Sequence, residues 1–197
     1  MAGAEPLSAD TPIEEVRARL SSDEAALSVD DLLIASEVAY VNRDLATSVR
    51  AMTLLVAREP ASAPFHHRLA ILQFESGDAA GAAASAAIAV LHDPGLEPAY
   101  DLLVQSRLHA GDVEGALAAA EARATLCGPS QAAQLQRARL LVQANRIEEA
   151  LQAVHSVNDA GTPTEESLLM EIELAYRSGD LIAPTPPRPR PRRSGPN

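Results

Sequence analysis

Between Glu97 and Leu126 the apolar positions fall into two groups separated by a polar break: EPAYDLLVQSRLHA, then GD, then VEGALAAAEARATL. Within each group they recur at three- and four-residue spacing, the period of one helix face, and little of the chain alternates with period two. The pattern predicts a helix, a tight turn and a second helix. It also returns along the chain. Gly77, Gly111 and Gly179 lie on one 34-residue grid with Asn145 at the missing node, and Asp78, Asp112 and Asp180 follow the glycines. Asp44 continues the aspartate series one period earlier; Ala82, Ala116 and Ala150 form a second series, and Pro60 and Pro94 a third. Independent series sharing one period predict repeats at 29–62, 63–96, 97–130 and 131–164, then a half-repeat or capping helix over 165–180. TPIEEVRARL (11–20) reads as a short helix with proline in its first turn, within an N-terminal segment 1–28. The segment 181–197, with prolines at 184, 186, 187, 189, 191 and 196, cannot form a helix and is expected to be extended or disordered.

Each series has a physical role. Glycine at the break supplies the left-handed conformation that ends the first helix. The aspartate after it accepts the free N–H groups that open the second, and proline closes the period. The second helix of repeat two, in DAAGAAASAAIAVL, is mostly alanine. A helix with neighbours on both sides can approach them closely when its contact residues are small. Ala79, Ala82, Ala83, Ala86 and Ala89 are therefore expected at its contacts, with Ile88, Val90 and Leu91 filling larger gaps. No helix pair of this kind buries its apolar face alone, so stacking creates the core.

These features resemble the tetratricopeptide repeat (TPR) family, whose pattern has a large residue early in the first helix, Gly-Asp at the turn, a small residue soon after and proline near the end. The matching residues are Tyr100, Gly111-Asp112, Ala116 and, one repeat earlier, Pro94. The resemblance covers about three quarters of the chain and implies an all-α fold, a right-handed α-α superhelix (solenoid) of about four helix-turn-helix repeats with capping helices. The chain departs from the family in having no tryptophan, and in placing His66 and Gln134 at early large-residue sites. Met52, Ala86, Ala120 and Val154 stand where the second helix usually carries a large residue, so the helices of repeats two and three should pack closely.

The resemblance also implies a concave face lined by the first helices, with residues spaced by 34. One row is Tyr40, Phe74, Leu108, Val142 and Tyr176, holding three of the five aromatic residues in the chain. A one-residue change of helix register would bury this row, so groove and core both stand as readings of it. A second row is Leu33, His67, Asp101, Leu135 and Leu169; a third is Glu37, Ile71, Gln105, Arg139 and Glu173. Some family members clamp a carboxylate tail with Lys, Arg and Asn, but the first repeat here offers Leu33 and Glu37. The expected ligand is instead a peptide or helix of another protein with apolar anchors and basic flanks.

Composition narrows the chemistry. All 16 basic residues are arginine, which removes Schiff-base lysines and phosphate-loop lysines. The single cysteine, Cys127, excludes an internal disulfide and a multi-thiolate metal site. The histidines are 66, 67, 92, 109 and 155; His66 and His67 point about 100° apart on a helix, and His67 with His109 lacks a third ligand. Neither the nucleophile-elbow motif nor the helical zinc motif occurs. The expectation is a non-catalytic chain without cofactor or metal, acting as scaffold, adaptor or assembly factor. A dedicated secretion-type chaperone and a permanent subunit of a larger complex, or self-association, are the alternatives. The N-terminal MAGAEPLSADTPIEE has no secretory pattern, so the expected compartment is the cytoplasm.

Charge divides the chain: residues 1–180 carry −15, and 181–197 carry +4 from Arg188, Arg190, Arg192 and Arg193. The acidic body opposes nucleic-acid binding. The basic segment reads either as solubilising or as an occupant of the protein's own acidic surface.

Overall fold

The computed structural model describes residues 5–22, 24–126, 130–161 and 163–179. Cys127, Asp180 and the four tail arginines lie outside the described residues. Among the described residues the chain forms ten α-helices and no strand: α1 (Ile13–Ser22), α2 (Val29–Val41), α3 (Leu45–Arg58), α4 (Ala63–Glu75), α5 (Ala79–His92), α6 (Glu97–His109), α7 (Val113–Leu126), α8 (Gln131–Gln143), α9 (Ile147–Ala160) and α10 (Glu165–Ser178). From α2 to α9 each helix packs on the one before and the one after, and α10 packs on α9. First helices (α2, α4, α6, α8, α10) alternate with second helices (α3, α5, α7, α9), giving an α-α superhelix. α1 begins two residues later than the 11–20 stretch, because Pro12 stays outside and offers its carbonyl to the Glu15 and Val16 amides.

The five turns after the first helices are built alike. Arg43, Gly77, Gly111, Asn145 and Gly179 all have positive φ, between 58° and 88°. The amide of each donates to the carbonyl three residues back, at Tyr40, Phe74, Leu108, Val142 and Tyr176. At Gly77 and Gly111 a Cβ would meet no atom within 4 Å, so glycine is there for its backbone conformation rather than for space. Asp44, Asp78 and Asp112 then cap the second helices, accepting from the amides of Thr47, Gly81 and Gly115. In repeat four Arg146 takes this position without a side-chain cap and instead makes a two-pronged pair with Glu149.

Two contiguous clusters make the core. The first joins Leu7, Val16 and Leu20 of the N-terminal cap to Leu32, Met52, Leu55 and Leu72; the second runs from Ala70 and Ala86 through Val104, Leu117 and Leu141 to Leu174. Ala82, Ala86 and Ala89 are fully buried, so the alanine helix α5 does sit tightly between α4 and α6. Ile88 and Leu91 do not fill gaps as their size suggested: both are exposed, and only Val90 of the three packs against the core. At 100° per residue they fall away from the arc defined by Ala82, Ala86 and Ala89.

His66, at an early large-residue site, is buried; its Nε2 lies 2.9 Å from the Pro60 carbonyl and its ring stacks on His92 at 6.1 Å. It therefore ties α4 to the end of α5, as the buried Tyr100 fills the equivalent place in α6.

Candidate concave binding face

The row Tyr40, Phe74, Leu108, Val142, Tyr176 occupies the last turn of each first helix and grades from half-buried side chains that pack on the core, Leu108 and Val142, to exposed ones at its two ends. Tyr40 is 37% exposed and Tyr176 74%, while Phe74, Leu108 and Val142 are half-buried. Tyr40 and Phe74 reach across to the next repeat. The Arg68 guanidinium lies 5.0 Å from the centre of the Tyr40 ring, and the Tyr40 hydroxyl donates to Glu75 Oε1 at 3.4 Å. Phe74 meets the edge of His109 at 4.9 Å. His109 Nδ1 in turn is 2.9 Å from the Gln105 carbonyl, which holds the ring in place.

The second row is less uniform. Leu33 packs half-buried on the N-terminal cluster and Leu169 is exposed. His67 is half-buried, and burial lowers its pKa below 6.5, favouring the neutral ring. Asp101 accepts from Arg123 Nη1 at 2.5 Å. Leu135 is the exception: at 6% exposure it belongs to the core cluster, and its side chain is closed to a partner. It buries with Ala138 and Leu141 of α8 and Leu151 of α9 in one core cluster. In the third row Glu37, Gln105, Arg139 and Glu173 are exposed and Ile71 is half-buried. Arg139 pairs with Glu166 across α8 and α10, and Glu173 lies 3.8 Å from Arg177.

Two polar assemblies carry no motif. Arg123 on α7 reaches Glu97, Asp101 and Gln136, at 2.5, 2.5 and 3.3 Å, and so joins α6 to α8. Glu97 and Asp101, four apart on α6, were the available sequence signal, but their common partner lies on another helix. Between α9 and α10, Asn158 donates to Glu171 and accepts from Ser167, both at 2.5 Å, while His155 Nε2 approaches Glu171 at 3.0 Å. Among the described residues no three His, Cys, Asp or Glu side chains converge to hold a metal ion, and no helix is long and apolar enough to cross a membrane.

No family model and no curated protein sequence matches the chain. Solved structures do. The crystal structure of MamA is similar with a TM-score of 0.64 at 13% identity, over 77% of this chain and 82% of that one. A tetratricopeptide repeat protein from Parabacteroides merdae gives 0.64 at 17% identity, over 77% and 60%. YrrB, described as a TPR protein with an unusual peptide-binding site, gives 0.62 at 10% identity, over 89% and 87%. Together with the left-handed turns, the capping aspartates and the alternating helices, this likeness establishes that the chain has the tetratricopeptide repeat fold.

Proposed function

We propose that the chain is a protein-binding scaffold, an adaptor or assembly factor that holds a segment of another protein along the face of α2, α4, α6, α8 and α10. The supporting observation is the row from Tyr40 to Tyr176: apolar, continuous across five first helices, and half-exposed. A row of this kind offers anchor sites for alternate side chains of an extended peptide, or for one stripe of a helix. Exposed Glu37, Glu75 and Glu173 border it, so a segment with apolar anchors and basic flanks is the complementary ligand. YrrB, of similar fold, is described as having a peptide-binding site. The work asked of such a protein is non-covalent, and its setting is the cytoplasm.

Affinity purification from native cells, comparing wild type with a Tyr40→Ala/Phe74→Ala variant, tests this reading. One protein retained by wild type and lost from a variant of unchanged helix content supports it; equal retention by both removes the row from the binding site.

A further inference from the structure

Among the described residues α10 is a first helix without a second. In the four complete repeats, the position of Leu168 is held by Leu32, His66, Tyr100 and Gln134, and that of Ile172 by Ser36, Ala70, Val104 and Ala138. All of these are buried except Gln134, which is half-buried. Leu168 and Ile172 are 45% and 67% exposed. With Leu169 at 60% and Tyr176 at 74%, they form an apolar stripe spanning about 100° of the helix. A shallow hollow of about 570 Å³ continues the stripe, lined by Leu169, Met170, Thr164 and the carboxylates Glu165, Glu166 and Glu173.

The turn that ends α10 is the same device that precedes every second helix. Gly179 has φ 79°, and its amide bonds the Tyr176 carbonyl, as its four counterparts bond theirs. In the four earlier turns the chain reverses here and returns along the first helix. Asp180-Leu181 stand where Asp44-Leu45, Asp78-Ala79 and Asp112-Val113 stand. Leu181, Ile182, Ala183 and Pro184 are the apolar residues next in line, and the prolines beyond them exclude a helix. An extended Pro-rich chain advances about 3.1 Å per residue, so the seven residues 181–187 span about 22 Å. α10, with 14 residues, is about 21 Å long. A return path along α10 therefore delivers Arg188, Arg190, Arg192 and Arg193 at its first turn, where Glu165 and Glu166 lie.

We infer that the occupant of this face is the chain's own segment 181–193, which takes the place of the missing second helix: Leu181–Pro187 cover Tyr176, Ile172 and Leu168, and the arginines pair with the Glu165–Glu166 end. This goes beyond the groove reading, with which it shares only Tyr176; Leu168, Ile172 and the Glu165–Glu166 end lie outside the groove rows, so the two readings are tested separately. A second copy's α10 is the poorer occupant, since its four carboxylates against one arginine would repel those already present. Tethering holds the segment at about millimolar effective concentration, enough for about half occupancy by a weak contact.

The test uses the full chain with a nitroxide at Ser194→Cys in a Cys127→Ser background, read by amide NMR. The inference expects peak intensities at Glu165–Leu169 to fall about twofold or more, and to recover in high salt or when Arg188, Arg190, Arg192 and Arg193 are replaced by Ser. Broadening confined to Ser178–Gly179, or centred on Tyr40 and Phe74, overturns it. So does broadening that appears when spin-labelled and isotope-labelled chains are mixed, which would assign the face to a second copy.

Discussion

The ring of Phe74 on α4 meets the ring of His109 on α6 edge-on, with centres 4.9 Å apart and planes at 83°. The two residues are one repeat and one residue apart, as are Tyr40 and Glu75. The last turn of one first helix thus leans on the last residues of the next, and the candidate binding row doubles as a link between repeats. A double-mutant cycle with Phe74→Leu and His109→Ala should show a coupling of about 0.5 kcal/mol in urea unfolding, at the low end for aromatic pairs because His109 is exposed. Strict additivity would mean the contact contributes nothing.

The alanine helix makes a sharper prediction. Ala86 is fully buried between α4 and α6, whereas Ala84 on the same helix is exposed. Ala86→Leu should cost about 1–3 kcal/mol by overpacking, and Ala84→Leu should stay within about 0.5 kcal/mol of wild type. Denaturation midpoints of the two variants decide it.

The turns can be ranked. At Gly111, φ is 79°, a conformation that costs a residue with a Cβ about 1–2 kcal/mol. Gly111→Ala should therefore destabilise by about 1 kcal/mol, while Asn145→Gly, at φ 58°, should be neutral or slightly stabilising. Thermal melts should show a lower midpoint for Gly111→Ala and an unchanged or slightly raised one for Asn145→Gly.

The fold was readable because its punctuation is chemical: glycine for a left-handed turn, aspartate for a cap and alanine for a close contact, all at one spacing. Arg43 shows the limit. It sits on the same 34-residue grid with φ 59°, yet arginine carries no signal for that conformation, so the first turn was legible only through Asp44. The candidate face was legible in outline, since its rows follow from the period. Side-chain depth was not. Leu135 and Leu169 share a row, but one is buried and the other exposed, because α8 has a second helix packed on it and α10, among the described residues, has none. Arg123 escaped notice because its partners Glu97, Asp101 and Gln136 come from two other helices.

Asp44 gives a pH dependence. The Thr47 hydroxyl, the Arg17 guanidinium at 2.7 Å and the Thr47 amide all hydrogen-bond its carboxylate and together hold its pKa below the ordinary 3.8, against the opposing effect of burial. A carboxylate lowered in the folded state contributes stability that is whole above its unfolded value and is lost as pH falls through the folded one. Asp44→Ala should cost about 1 kcal/mol at neutral pH through the lost cap. The gap from wild type should narrow only below about pH 4. A gap that is constant down to acid unfolding would show that the charge is irrelevant.

The most direct test of the scaffold reading is photo-crosslinking in native cells, with a benzophenone side chain placed in turn at Tyr40, Phe74 and Tyr176, and at Thr53 and Gln152, which are exposed on the second helices α3 and α9. The account predicts one common partner captured from the three row positions and not from the two control positions. Capture of that partner from Thr53 or Gln152 alone would place binding on the opposite helices and contradict it.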